Sequence, residues 1–427
     1  MSTKRVALVC QNFYPEMAST GMHMTELASR LERKDWDVRV YCSHPAYTIG
    51  EGKQDVPAEE EYNGIKIHRV PTLGRGKDGL GSRLLAAVTY LLATVRALVR
   101  DRDRYDGLLV TTNPPFLGLA GWYMTVMHDK PYVQLVYDVY PDIAVRLGVV
   151  GDNSPFAWIW ERVSRLMLNR AAATVVIGRD MGELIRQKLC RAHYGTMHFI
   201  PNWSDEDVVV PKRREQNPFR QEQEVGDRFL VQYAGGMGRT HNLEPLIRAA
   251  SRLKEEPVLF QLIGEGNKKK KLRRMTEERN LENVEFLPFQ PREELDTVLA
   301  AADLAVVCLE SRFTGMSVPS KTYGIMASGT PILGFVDENS EIGRTIRESN
   351  CGIVLEDPDA EEAAEAVREG LNDQQELRKK GRRGREIFED RFTLSHAAER
   401  YDTVLQQYFY GNIQKDDRVV GSNHTPV

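Results

Sequence analysis

A chain of 427 residues is too long for one ordinary core and predicts two or three domains. Its 41% hydrophobic content is that of a soluble globular protein, and a formal charge of −4 argues against a general nucleic-acid binder. The five scattered cysteines show no metal-ligand spacing, no secretory signal opens the chain, and no apolar run reaches the roughly 20 residues of a membrane span, so a reduced, cytoplasmic protein is expected.

Val6 to Cys10 is a continuous apolar run that reads as a buried parallel strand. A loop to Thr20 follows, Gly21 opens a helix to about Arg33, and Val38 to Cys42 is the next strand. This is the start of a doubly wound α/β domain, which binds ligands outside the carboxyl ends of its strands. Gly21 and His23 are therefore candidate substrate contacts, against the alternative of an ordinary βα turn. Residues 44–64 are polar and read as a long loop, and Ile65 to Val70 as a strand. Leu84 to Val99 is an apolar helix, with seven basic residues between Arg75 and Arg104 against three acidic ones. It is either a core helix with solvated ends or a helix that partly enters a membrane interface, its cations on anionic headgroups.

Leu108 to Thr112 and Tyr132 to Tyr137 are further strands. The second ends at Asp138, a carboxylate placed for chemistry, polar recognition or helix capping. Ala173 to Ile177 is a strand, and Arg179 just after it either grips a phosphate or lies on the surface. Residues 206–226 are charged, lack an apolar period and read as a linker. The pattern restarts with a strand at Phe229 to Ala234, a glycine-rich loop and a helix from about Leu243. Gly236 and Gly238 in that loop are candidate phosphate contacts. Val258 to Ile263 runs into Gly264-Glu265-Gly266, and Lys268 to Lys271 read as a solvated helix face.

Leu304 to Leu309 is another buried strand. Beyond it, Ser317, Pro319, Ser320 and Lys321 lead into a helix lined by small residues, among them Gly324, that ends at Gly329 and Pro331. A helix N-terminus with a lysine suits a phosphate. The alternative is a strand–helix–strand unit with a solvated lysine. After Ile353 the chain reads as helical, with a polar tail expected to be disordered.

The run from Gly315 to Pro331, a Pro-Ser-Lys loop leading into Met-Ala-Ser-Gly-Thr-Pro, resembles the donor-binding loop of retaining GT-B glycosyltransferases of family 4. It is most similar to the bacterial surface-polysaccharide branch that includes N-acetylfucosaminyltransferases. The resemblance runs in order from Tyr14-Pro15, through Pro201-Asn202-Trp203-Ser204-Asp205, to the terminal helix. It implies an α/β chain with two Rossmann-like, doubly wound domains facing a cleft. Residues 1–205 would be the acceptor domain, 206–226 the linker, 227–392 the nucleotide-sugar domain, 393–412 a helix crossing back, and 413–427 the tail. It also implies that Arg239 and Lys321 meet the donor diphosphate, that the backbone at Leu287 and Pro288 reads the base, and that Asp138 stands near the reacting carbon. The chain departs from the family pattern in places. The family's two glutamates, eight positions apart, fall on Met316 and Gly324, and the usual loop lysine falls on His241 or Asn242. Glu310 is the nearest spare carboxylate for a ribose.

The resemblance implies sugar transfer, with retention, from a nucleoside-diphosphate sugar, a UDP-sugar in the first place. The acceptor would be an oligosaccharide or a polyprenyl-linked saccharide. No metal and no cofactor are expected, and no nucleic acid is expected as partner. The place of work would be the cytoplasm or the inner face of the membrane, with residues 75–104 touching it. Two rivals remain: another reaction of the same fold, such as sugar-nucleotide epimerisation, and a degenerate partner that binds nucleotide sugar without turnover. A dinucleotide oxidoreductase is disfavoured, because no complete Gly-x-Gly-x-x-Gly follows the first strand.

Overall fold

The computed structural model describes residues 3–16, 19–45, 56–73 and 80–411, with 80, 81, 83 and 84 described by backbone alone. The expected tail at 413–427 and the cations Arg75 and Lys77 lie outside the described residues. The first sheet comprises β1 (Lys4–Val9), β2 (Trp36–Ser43), β3 (Glu59–Tyr62), β4 (Ile65–Val70), β5 (Gly107–Thr111), β6 (Tyr132–Val136), β7 (Ala173–Val176) and β8 (Met197–Phe199). Its order is β3-β4-β2-β1-β5-β6-β7-β8, parallel except at the β3–β4 pair. The second sheet comprises β9 (Phe229–Ala234), β10 (Val258–Ile263), β11 (Val284–Leu287), β12 (Leu304–Cys308), β13 (Ile332–Phe335) and β14 (Gly352–Leu355). Its order is β11-β10-β9-β12-β13-β14, all parallel. The inner strands are covered on both faces, which is why they read as near-continuous apolar runs, interrupted by one buried glutamine each in β6, β9 and β10 (Gln134, Gln232 and Gln261). Strand order reverses at β1/β5 in one sheet and at β9/β12 in the other, and each reversal opens a crevice at the carboxyl ends of the strands.

The helices of the first half are α1 (Ser19–Glu32), α2 (Leu80–Arg100), α3 (Gly118–His128), α4 (Asp142–Arg146), α5 (Pro155–Arg170) and α6 (Arg179–Lys188). Those of the second half are α7 (Pro218–Glu222), α8 (Glu244–Arg252), α9 (Lys269–Glu278), α10 (Leu295–Leu299), α11 (Lys321–Ala327), α12 (Glu341–Ser349), α13 (Ala360–Asn372), α14 (Gln374–Arg391) and α15 (Leu394–Tyr410). α15 returns to the first sheet. Asp402 accepts from Lys4 Nζ at 3.1 Å and Trp36 Nε1 at 2.8 Å, and Tyr410 donates its hydroxyl to Asp106 at 2.6 Å.

Two readings change. The loop expected over 44–64 ends in a hairpin: β3 turns into β4 through Asn63 and Gly64, both at positive φ, as a two-residue hairpin turn demands. The segment 206–226 is not a bare linker. It carries α7, capped by the Asn217 side chain, and buries Phe219 and Val225 against the second sheet. Arg220 is buried there as well, on Asp303 and three backbone carbonyls, those of Ala301, Gly226 and Arg228.

One apolar core runs through both halves. Tyr137, Val139 and Ile143 of the first pack with Phe313, Met316, Val318 and Tyr323 of the second, and with Trp203, Phe392 and Tyr401 on the returning chain. Among the described residues no helix is long and apolar enough to cross a membrane. α2 buries Tyr90, Thr94, Ala97 and Leu98 and exposes Leu85, Val88 and Leu92 on its other side.

Candidate active site

The site is built where the two switch points face each other. After β9 the chain passes through Gly235 at φ 140°, and after β10 through Gly264 at 131° and Gly266 at 152°. These are conformations that only glycine adopts readily. The two turns abut. Gly235 N–H donates to Ile263 O at 2.9 Å and Met237 N–H to Glu265 O at 2.8 Å. A Cβ on Gly264 would collide with the Gly235 carbonyl, and one on Gly266 with that of Met237. Gly236 is exposed on the outer side of this paired turn, Gly238 lies under the His241 ring, and Arg239 is exposed at its tip.

Lys321, the first residue of α11, enters this cradle from below. Its ammonium is buried, has no hydrogen-bond partner, and lies 3.6 Å from the centre of the Tyr233 ring. A Cβ on Gly235 would stand 2.6 Å from Nζ, so the glycine is needed for room as well as for φ. Burial pushes the Lys321 pKa down to about 8. Burial, reinforced by the charges of Lys321 and Lys268, holds the His241 pKa near 3, so that ring is neutral. The result is a desolvated positive charge without an anion, against the backbone of two glycine turns. α11 has only seven residues, so the charge of Lys321 counts for more here than the helix end. Ser320 does not cap it with its side chain; its hydroxyl meets that of Ser19 at 2.7 Å, joining the first turn of α1 to the start of α11.

Other candidates are placed as follows. Pro319 precedes Ser320, and its carbonyl accepts from the Thr322 hydroxyl. Asp138 pairs with Ser317 as an antiparallel bridge, Val139 N–H donates to Met316 O at 2.9 Å, and the Asp138 carboxyl, its pKa raised by burial, meets Ser317. Asp138 therefore ties the first domain to the segment leading into α11. Gly21 lies buried in α1 against Glu16 O and Asn12. His23 is buried as well, with Nδ1 2.7 Å from Ser19 O and its ring edge-on to Trp203. The Leu287 carbonyl accepts from Gly264 N–H at 3.0 Å, and Pro288 is exposed beyond it. A side chain at Gly324 would run into Leu299.

Three readings are corrected by these contacts. Arg179 is not free for a phosphate, because Glu341 and Glu348 occupy its guanidinium. Glu310 is not spare: its carboxylate is held by Lys268 at 3.0 Å and Arg312 at 2.7 Å. The basic run is not wholly a solvated face. Lys268 reaches inward to His241 O, Glu244 and Glu310, and Lys269 reaches Gly264 O at 2.8 Å. Sequence reasoning passed over Phe289, 50% exposed, whose ring lies against Gly264 at the rim of the cradle. An aromatic directly after a strand-ending Leu-Pro was the available signal.

A cleft of about 560 Å³ continues from the first turns of α1. Tyr14 lines it, stacked on Tyr62 at 3.9 Å, as do Glu16, Arg30 and Arg33. Across it, Arg292 of the second domain meets Glu26 at 2.5 Å, and Glu26 also accepts from Trp203 Nε1 at 3.0 Å. Burial raises the Glu26 pKa, partly offset by the neighbouring His23 and Arg292.

Residues 214–387 match the family described as glycosyl transferases group 1, and residues 20–203 match the glycosyl transferase 4-like domain. The probable glycosyltransferase WbjE of Pseudomonas aeruginosa is 30% identical over 82% of this chain and 84% of its own length. The Escherichia coli K12 protein WcaI, named for glycosyl transfer in colanic acid biosynthesis, is 25% identical over 84% of this chain and 90% of its own. Anabaena HepE, solved in complex with UDP-glucose, superposes with a TM-score of 0.70 at 17% identity, over 94% of this chain and 99% of that one.

Replacing Lys321 by Ala should weaken nucleoside-diphosphate binding by roughly 1.5–3 kcal/mol, the range for charge-assisted hydrogen bonds. Arg239→Ala should cost less, because its charge is exposed and screened. Titration calorimetry with the diphosphate and the bare nucleoside checks this; equal losses for both would place these side chains away from the phosphates. The buried lysine also sets a pH dependence. Diphosphate binding favours the ammonium, so affinity should hold up to about pH 8 and then fall by up to about tenfold per pH unit. In the free protein the sign is opposite. The unfolded chain keeps this proton to about 10.5, so the buried charge costs stability below pH 8 and the cost fades between 8 and 10.5.

Proposed function

The chain belongs to the group 1 glycosyl transferases, and from that footing we propose that it moves a sugar from a nucleoside diphosphate, UDP in the first place, onto a saccharide or lipid-linked saccharide with retention of configuration. The observation that carries this reading is the buried, unpartnered ammonium of Lys321 beneath two abutting glycine turns. Breaking the bond between the anomeric carbon and the diphosphate oxygen leaves about two negative charges on the leaving group. Lys321 inside and Arg239 at the tip neutralise them, and the backbone N–H groups around Gly236 and Gly238 supply hydrogen bonds. An acceptor hydroxyl then bonds to the anomeric carbon, and its proton passes to the departing phosphate oxygen. No step calls for a metal or a cofactor.

UDP is favoured because HepE, of similar fold, binds UDP-glucose. A polysaccharide pathway is favoured by the name of WcaI. The cleft along α1 suits the acceptor: the stacked Tyr14 and Tyr62 offer a flat apolar face, and the carboxylates and arginines around them suit hydroxyl groups. Membrane contact is supported by one helical layer of the first domain. α2, α3 and α5 lie side by side, and they expose Leu92 at 64%, Met127 at 60%, Trp158 at 59% and Ile159 at 52%. Exposed apolar and aromatic side chains beside Arg96, Arg162, Arg165 and Arg170 suit an anionic interface.

A thermal-shift screen over nucleoside diphosphates and their sugars should reveal the donor, since a ligand at 100 times its Kd adds about 2.7 kcal/mol. Hydrolysis or transfer of that donor should proceed unchanged in excess chelator. Loss of turnover in chelator, with rescue by magnesium or manganese, would overturn the charge assignment. The protein should also sediment with anionic vesicles at low salt and be released by added salt, with roughly 1 kcal/mol lost per removed cation near the surface. Trp158→Ser and Arg162→Glu together should abolish this; a wild-type protein that ignores such vesicles would return the three-helix face to the status of ordinary surface.

A further inference from the structure

Two helix starts meet across the domain interface. α6 begins at Arg179 after Gly178, and α12 begins at Glu341, capped by the Ser340 hydroxyl. The Glu341 carboxylate is buried, 2% exposed, and Arg179 fills it. Oε2 accepts from the Arg179 backbone N–H at 2.9 Å and from Nε at 2.8 Å, while Oε1 accepts from Nη2 at 3.4 Å and the Thr345 hydroxyl at 3.2 Å. Nη1 is taken by Glu348 at 2.8 Å. The negative charge thus caps the first amide of α6 as well as pairing with the guanidinium. The next residue, Asp180, accepts from Gly315 N–H at 3.0 Å. Gly315 stands at φ 75°, its Cβ position 3.1 Å from Asp180 O. Gly178 is just as close: a Cβ there would be 2.9 Å from Val318 and 3.2 Å from Glu341.

The segment held in this way, Gly315 to Val318, is the one that leads directly into Pro319, Ser320 and Lys321. Its other edge is hydrogen-bonded to Asp138 and Val139. First-domain residues therefore hold both sides of the approach to the donor lysine. The glycine turns and Phe289 belong to the second domain alone.

We propose that Arg179, Asp180 and Glu341 are positioning residues that fix the donor loop, so that Lys321 faces the glycine turns only when the two domains are locked together. The assignment rests on the reading of that cradle as the donor phosphate site. Loosening the clamp moves Lys321 away from the diphosphate and leaves the base contacts of the second domain in place.

The test uses the full-length protein with Glu341→Gln, Arg179→Gln and Gly178→Ala, and Arg179→Lys as the conservative variant. UDP and uridine binding are measured by calorimetry, and amide hydrogen exchange is followed without ligand. The expected result is about a tenfold loss of UDP affinity, an ordinary size for coupling between sites, with uridine affinity unchanged and partial recovery in Arg179→Lys. Exchange should speed up at the amides of 315–318 and not in β9 or β10. Equal weakening of UDP and uridine, or unchanged exchange at 315–318 in a folded variant, would overturn the clamp. Faster exchange at 315–318 in a protein whose wild type binds no nucleoside diphosphate would uphold the clamp and sink the donor reading instead. If the glutamine variants fail to fold, Gly178→Ala and Arg179→Lys decide the matter by the same two measurements.

Discussion

A buried ammonium with no anion beside it is the constraint around which the second domain is arranged. Taking such a charge from water costs several kcal/mol, and the fold recovers part of that through the face of Tyr233. The neighbours of Lys321 are consistent with a charge held ready. Gly235 carries no side chain because one would strike Nζ, and His241 is kept neutral, so a second cation does not oppose the first. Lys268 and Lys269, other amines nearby, are already satisfied, the first by Glu244 and Glu310 and the second by Glu265. The uncompensated charge thus lies against the two abutting glycine turns.

Holding that charge in register requires more than the second domain. α11 is short and begins at the end of a loop, and a loop by itself would wander. The structure fastens it at Gly315 to Asp180, at Met316 and Ser317 to Asp138 and Val139, and at Ser320 to Ser19. The apolar core continues through the same joint, from Ile143 and Tyr137 to Phe313 and Tyr323. The returning chain adds a further strap where Ser204 pairs with Thr393. The domains share a core as well as a cleft, which makes a defined closed arrangement physically reasonable.

Charge and apolar surface are distributed unevenly over the molecule. Residues 1–205 hold 25 basic and 22 acidic side chains, and the rest of the chain holds 32 and 39. The exposed Leu, Met, Trp and Ile of α2, α3 and α5 gather on one side of the more basic half. Some of the cations flanking α2 are already neutralised within the fold, since Arg100 and Arg104 both lie on Asp101. The apolar residues of α5 therefore matter as much to this face as the basic ends of α2.

Much of the framework was legible in the chain itself. Strands covered on both faces read as near-continuous apolar runs, so β1, β5, β6, β9, β10 and β12 stood out, and glycines after β9 and β10 marked the paired turns. α3 and α5 were not foreseen, and the β3–β4 hairpin was hidden in a polar stretch although its Asn63-Gly64 turn was visible. Arg179 and Glu310 could be seen as charges but not as partners. Arg179 meets Glu341 across 162 positions and Glu310 meets Lys268 across 42. Local sequence specifies helix starts, turns and periodicity, because those depend on neighbours along the chain. Whether a given cation faces a ligand or a carboxylate depended on where the two domains meet, and only the tertiary structure decided that.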